Sequence, residues 1–287
     1  MKLSDIDMSR SDMHIHSVAS DGEMKADEII DIASKLELKN ISITDHDGVG
    51  AYKSRDGKLN DLLVKTGVHL ITGIEFDSEY EGTEIHILGY GFDYRDPVIT
   101  QYLKENHRQR NERIIELIRG INKFYGKDIL KESEIFLPGR ETLMKPHLIK
   151  TLLENGLFKS YPDAKMWLQK NIDVKTKIIK PSPDYIVNLI KNSGGEAVIA
   201  HPGYYLKSLG EKALNDLIKK LVSNGLSGIE VFYDYSRLSS GEFSQKDGKK
   251  LQDIFLDISV KFGLIGTRGS DSHSKNDFMK RNNRENF

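Results

Sequence analysis

Short apolar runs, each closed by acids or histidines, recur along most of the chain. Ser11–His16 predicts a first strand and Asn40–Thr44 a buried second one. His69–Phe76, Glu84–Tyr90, Glu196–Ala200, Gly228–Phe232 and Leu264–Thr267 predict five more. Between them the apolar spacing lengthens to that of amphipathic helices. Ala26–Leu38 puts Ile29, Ile30, Ala33 and Leu36 or Leu38 on one side, and Asp184–Asn192, Leu209–Ser223 and Lys249–Phe262 read as helices too. Repeated βα units with short connections predict a parallel sheet or barrel.

The alternation breaks once. Pro97–Phe124 reads as a long polar helix, and Pro146–Glu154 and Pro162–Lys170 as shorter ones. The pattern therefore predicts an α/β fold, a parallel sheet or barrel with seven strand candidates, built from residues 1–93 and 181–287. Residues 94–180 would form a helical insertion. Ser274–Phe287 is polar and reads as a tail.

A chain of 287 residues can bury a large core, so one big domain with an insertion fits. It has no cysteine, which excludes disulfides, thiolate metal sites and cysteine nucleophiles. Any metal must be held by nitrogen and oxygen. No apolar stretch approaches the roughly 20 residues that span a bilayer. Met1-Lys2-Leu3-Ser4-Asp5 lacks the apolar core of a secretory signal. These features predict a cytoplasmic protein with no membrane partner. The net charge of −1 hides an asymmetry. Residues 101–180 carry 17 Lys+Arg against 10 Asp+Glu, a balance of +7, and the rest is acidic. The basic middle is suited either to an anionic substrate or simply to a solvated helical surface.

Six of the nine histidines lie at or just after the strand candidates. His14 and His16, two apart in a strand, project to one face and can chelate one ion. Asp21 follows in a turn. Asp45-His46-Asp47, Glu75, His86, His201 and Asp271-Ser272-His273 come at later strand ends. In parallel barrels the functional groups gather at the C-terminal rim. Imidazoles and carboxylates converging there describe a site for more than one divalent ion, with manganese, iron and zinc all suited. Clustered divalent ions activate water and neutralise a leaving phosphate oxygen, so phosphate ester hydrolysis needs no covalent nucleophile. His69 and His107 lie off this trail and read as an ordinary strand histidine and an exposed helix residue.

The ordered set H-I-H-S-V-A-S-D-G, T-D-H-D, G-I-E-F, I-H-I-L-G-Y, A-H-P-G and G-S-D-S-H resembles the polymerase and histidinol phosphatase (PHP) superfamily of metal-dependent phosphoesterases. It is most similar to the bacterial branch with a helical insertion that acts on nucleotides. The motifs span residues 14 to 273. The resemblance implies a distorted seven-stranded barrel with two or three metals. His14, His16, Glu75 and Asp271 would hold the first. Glu75 would bridge to a second, completed by His86 and His201. Asp21, His46 and His273 would hold a third. Asp45, Glu75 and Asp271 would be the catalytic acids, with Asp45 orienting a ligand histidine and Asp47 capping the next turn.

Lys145-Pro146-His147 matches a family motif in which arginine is usual in place of Lys145. Lys145 and His147 would grip a phosphate, with Arg113 and also Arg108 and Arg110 as further candidates. A lysine there forgoes the bidentate fork. Gly48 stands where threonine is common, and Arg268 and Ser272 flank the last motif where small and aromatic residues are usual. Tyr204 and Tyr205 read as packing residues, and Glu230 stays open. The resemblance implies a phosphatase acting on a nucleoside 3′,5′-bisphosphate or monophosphate. Trimming of short RNA from the 5′ end, histidinol phosphate hydrolysis and a purely structural metal module are the alternatives. The oligomeric state is left open.

Overall fold

The computed structural model describes residues 2–53, 57–235 and 243–282. Seven strands form one sheet in sequence order: β1 (Ser11–Ile15), β2 (Asn40–Ile43), β3 (His69–Tyr80), β4 (Thr83–Tyr90), β5 (Glu196–Ile199), β6 (Leu226–Phe232) and β7 (Ile265–Arg268). The sheet curls until its edges meet. Asp271 N–H donates to His14 O at 2.7 Å, and His16 N–H donates to Ser272 O at 3.0 Å. The residues just after β7 thus pair with β1 and complete a distorted barrel.

Helices clothe the outside: α1 (Ala26–Lys35), α2 (Gly50–Lys53) and α3 (Gly57–Thr66) after the first two strands. A separate group follows β4: α4 (Pro97–Tyr125), α5 (Glu132–Ile135), α6 (Lys145–Glu154) and α7 (Tyr161–Asn171). The barrel resumes with α8 (Pro183–Asn192), α9 (Gly203–Leu209), α10 (Glu211–Asn224), α11 (Gln245–Phe262) and α12 (Lys275–Arg281). Period-2 alternation sorts the strand residues between two cores. Ile41, Ile43, Ile74, Phe76, Ile87, Ile199 and Ile229 face the helices. Met13, Ile71, Leu88, Tyr90 and Val198 fill the barrel. A third cluster, from Ile114 to Ile172, belongs to the inserted helices. The long helix α4 enters both, with Ile99 and Leu103 in the barrel's outer core and Ile114 to Ile121 in the insertion's.

Two expectations change. The sheet is not all parallel: β4 pairs antiparallel with both β3 and β5. β3 runs on past Phe76 to Tyr80 and turns back through Glu81 and Gly82, whose φ angles are 50° and 75°. Two left-handed residues in a two-residue loop make the hairpin turn that matches strand twist. Because β4 runs the other way, His86 reaches the functional rim from the first half of its strand. The polar C-terminus is also more than a tail. Residues 275–281 are helical and anchored by the fully buried Phe278. Residues 283–287 lie outside the described part. Among the described residues no helix is long and apolar enough to cross a membrane.

Candidate metal centre

The barrel rim gathers all nine ligand candidates. In β1 the register to β2 slips by one residue between Asp12 and Ile15. This bulge lets Met13 join the barrel interior while the His14 side chain also turns inward, toward Glu75 and Glu230. Glu75 is the hub. His14 Nε2 and His16 Nε2 each lie 3.2 Å from its Oε2, and His46 Nδ1 lies 3.3 Å away. Its Oε1 meets His86 Nδ1 at 2.8 Å and His201 Nε2 at 3.1 Å. Asp271 Oδ1 is 3.0 Å from His16 Nε2 and 3.5 Å from His14 Nε2. Asp21 Oδ1 is 3.5 Å from His273 Nε2 and 3.8 Å from His16 Nδ1.

These contacts resolve into groups whose donor atoms all lie within 4.8 Å of one another. One is His14, His16, Glu75 and Asp271; a second is Glu75, His86 and His201; a third is His16, Asp21, His46 and His273. A fourth, His46, Asp77 and His86, contains a carboxylate absent from the motif reading. The backbone is strained where the site is tightest. Asp47, His201 and Asp271 are non-glycine residues with φ of 44°, 28° and 52°. Such conformations cost on the order of 1–3 kcal/mol and cluster at functional sites.

The donor set fits divalent ions. His16 Nδ1, Asp21 Oδ1, His46 Nδ1, Glu75 Oε2 and Asp77 Oδ1 are buried and have no hydrogen-bond partner. Unmade hydrogen bonds at buried polar atoms cost about 1–3 kcal/mol each, so a crowd of them around shared points calls for cations. Burial alone would depress His16 and His46, but carboxylates overcome it and hold both up at about 9: Asp271 and Glu75 for His16, Glu75 and Asp21 for His46. Burial would likewise raise Glu75, yet His46, His14 and His86 keep it well below the usual carboxylate range. Ligand histidines must be deprotonated, so metal uptake would release these protons.

Several supporting residues differ from expectation. Asp45 does not orient a histidine. Its carboxylate accepts from Ser17 N–H at 2.7 Å and from the Ser17 and Ser20 hydroxyls, both at 2.6 Å. It therefore shapes the 17–20 loop that leads to Asp21. The acid behind a histidine is Glu230, buried inside the barrel. It meets His14 Nδ1 at 3.1 Å and accepts from His201 N–H at 2.7 Å. Gly269 makes room for it: a Cβ there would lie 2.1 Å from Glu230 Oε1 and 2.3 Å from His14 Cβ. Tyr205 does more than pack, since its hydroxyl sits 3.2 Å from His201 Nδ1 and accepts from His86 N–H at 2.8 Å. Tyr233 donates to Asp271 Oδ2 at 3.0 Å. Asp47 is buried and bound by Asn106 and Arg110 rather than capping a turn. His107 is half-buried, its Nε2 lying 2.7 Å from Asp47 O.

The inserted helices and the barrel line a cleft of about 760 Å³. Asp77 and Glu84 line its floor, and Arg110, Arg113, Lys145, Lys165, Lys177 and Lys180 its walls. Burial depresses the Lys145 ammonium, and crowding by Arg113, Lys180 and Lys165 depresses it further. His147 takes a different place from the expected phosphate grip. Its Nδ1 accepts from Met144 N–H at 3.1 Å and its Nε2 meets Ser20 O at 2.7 Å. Burial and then Arg140 push it down to about 4, so it is a neutral tie between α6 and the loop before Asp21. Arg108 is exposed and pairs with Glu105 and Glu112. Arg268 is drawn to Ser11 O at 2.9 Å and Asn282 Oδ1 at 3.1 Å, away from this cleft.

A seven-stranded barrel with a histidine–carboxylate cluster on its rim defines a metal-centred α/β protein. The family model of the PHP domain matches residues 12–174, and the chain belongs to that family. The 5′-3′ exoribonuclease Rnm of Escherichia coli is 27% identical over 268 residues, covering 91% of this chain and 84% of the relative. The 3′,5′-nucleoside bisphosphate phosphatase of Chromobacterium violaceum is 26% identical over 93% of this chain and 88% of its own length. A phosphoribosyl 1,2-cyclic phosphate 1,2-diphosphodiesterase of Eggerthella lenta is 28% identical over 92% of this chain and 94% of its own. Among solved structures, a Chromobacterium violaceum amidohydrolase with bound sulfate and no metal superposes with a TM-score of 0.69 at 25% identity, covering 93% of this chain and 88% of that one.

Proposed function

We propose that this chain is a metal-dependent phosphatase of small nucleotides, such as a nucleoside 3′,5′-bisphosphate or monophosphate. One observation carries the reading: nine ligand-type side chains gather on one rim, and a cleft lined by lysine and arginine adjoins them through Asp77, 3.2 Å from His46, and Glu84, 3.1 Å from His86. His14, His16, Glu75 and Asp271, then Glu75, His86 and His201, then Asp21, His46 and His273 would hold two or three divalent ions of manganese, iron or zinc. Bound ions would supply an activated water and neutralise charge on the phosphoryl oxygens. The chain's own residues position this chemistry. Glu230 fixes the His14 ring, Tyr205 the His201 ring and Tyr233 one oxygen of Asp271. Arg113 and Lys145 would hold a second phosphate in the cleft. The relatives named as a bisphosphate phosphatase and a diphosphodiesterase support this substrate class. The reading includes a cytoplasmic place of action.

The direct test is phosphate release from adenosine 3′,5′-bisphosphate with added manganese. Chelator-sensitive release is expected; none, from protein shown to contain metal, overturns the reading. Lys145→Ala should raise KM about 3–10-fold and leave kcat nearly unchanged, the pattern of lost uniform binding by a partly exposed cation. An unchanged KM in steady-state assays would remove Lys145 from the substrate site.

A second reading is 5′-to-3′ trimming of short RNA. Lys165 and Lys177 add to the cationic lining of the cleft, and the Escherichia coli relative carries that name. A 5′-phosphorylated tetranucleotide outcompeting the bisphosphate would favour it.

A further inference from the structure

Asp77 stands outside the nine residues that carry the proposed function, yet it is placed like a ligand. It lies two residues after Glu75 on β3, so the two side chains share the inward face. Across the hairpin its register partner is His86. Its two oxygens have different surroundings. Oδ2 accepts from Arg110 at 2.8 Å. Oδ1 is buried without a hydrogen-bond partner, 3.2 Å from His46 Nδ1 and 3.7 Å from His86 Nε2. His46 Nδ1 is equally without a hydrogen bond.

Arg110 does not need this second carboxylate. It comes from α4 and already donates to Asp47, while its Nε donates to Asn106 Oδ1 at 2.7 Å. Arg110 is shared by two buried acids, and Lys180 Nζ lies 3.8 Å from the same Asp77 Oδ2; both cations approach that oxygen, and Oδ1 faces the histidines. A buried carboxylate oxygen with no partner is expensive, and a buried charge is tolerated when it is paired or coordinates metal. The unpaired oxygen and the two imidazoles converge on one point.

We propose that Asp77 is a further ligand of the metal centre, at its outer edge between His46 and His86, and that Arg110 is the positioning residue that holds it there. The inference rests on the proposed function only in taking the rim cluster as metal-binding. It also gives the helical insertion a direct link to that centre, through one side chain.

The test is titration of chelator-stripped, full-length protein with Mn²⁺ in a calorimeter, with ion content measured after gel filtration. Asp77→Asn keeps an acceptor for Arg110, and Asp77→Ser serves should that variant not fold. One class of Mn²⁺ sites is expected to weaken by roughly 10–100-fold or to empty, with the others at wild-type affinity. Arg110→Lys should weaken the same class by less. Wild-type affinities and stoichiometry in a folded Asp77 variant would overturn the proposal and leave Asp77 as a salt-bridge partner of Arg110. Glu75→Ala separates the two readings. If it loses ions while Asp77→Asn does not, only this inference fails. If neither loses ions, the metal-centre reading fails with it.

Discussion

Replacing Glu75 by alanine is expected to lower phosphate release from adenosine 3′,5′-bisphosphate by at least about 10³-fold and to strip more than one ion from the protein. The size follows from its position. Five imidazoles, those of His14, His16, His46, His86 and His201, approach its two oxygens within 2.8–3.3 Å. It belongs to two of the donor groups at once. Removing it leaves each group short of its only shared anion. Loss of a single preorganised electrostatic contact costs on the order of 10²–10³ in rate, and here two sites lose one together. Phosphate assays alongside elemental analysis check both halves. Retained activity with retained metal would sink the assignment of Glu75 as the shared ligand.

The gathering of the nine candidates was legible because chelation demands particular residue types at strand ends, and both can be read along a chain. The strand directions were not. Alternation of apolar and polar residues is the same in a parallel and an antiparallel strand. The local signal was faint: Glu81-Gly82 lies between two apolar runs, but glutamate is not a usual residue for the left-handed first position of such a turn. Adjacency also misled. Asp45 stands beside His46 in sequence, which invites pairing them, but neighbours in extended chain point to opposite sides. The acid behind a ligand histidine is Glu230, 216 residues from His14, and only barrel closure brings them within 3.1 Å. Asp77 and Arg110 are 33 residues apart on a strand and an inserted helix, a pairing with no periodic trace. Helix α12 was hidden because one buried residue, Phe278, anchors an otherwise polar segment.

Glu230 gives the second large effect. Both of its oxygens are committed, one to His14 Nδ1 at 3.1 Å and one to His201 N–H at 2.7 Å. These histidines fall in different donor groups. A residue that orients a metal ligand typically contributes 10–100-fold in affinity. Acting on two ligands, Glu230→Ala should weaken Mn²⁺ binding by about 10²–10⁴-fold, less if the two effects overlap. Glu230→Gln discriminates the cause. The glutamine oxygen can accept from only one partner, and its amide N–H groups then face a second donor. An intermediate loss is expected for glutamine and the full loss for alanine, read by competition with a chelator of known affinity. If glutamine binds Mn²⁺ as tightly as the wild type while alanine merely lowers the melting temperature, Glu230 is a strut of the barrel interior. If both lose metal in that order with their melting temperatures intact, its second oxygen is what couples the His14 and His201 sites.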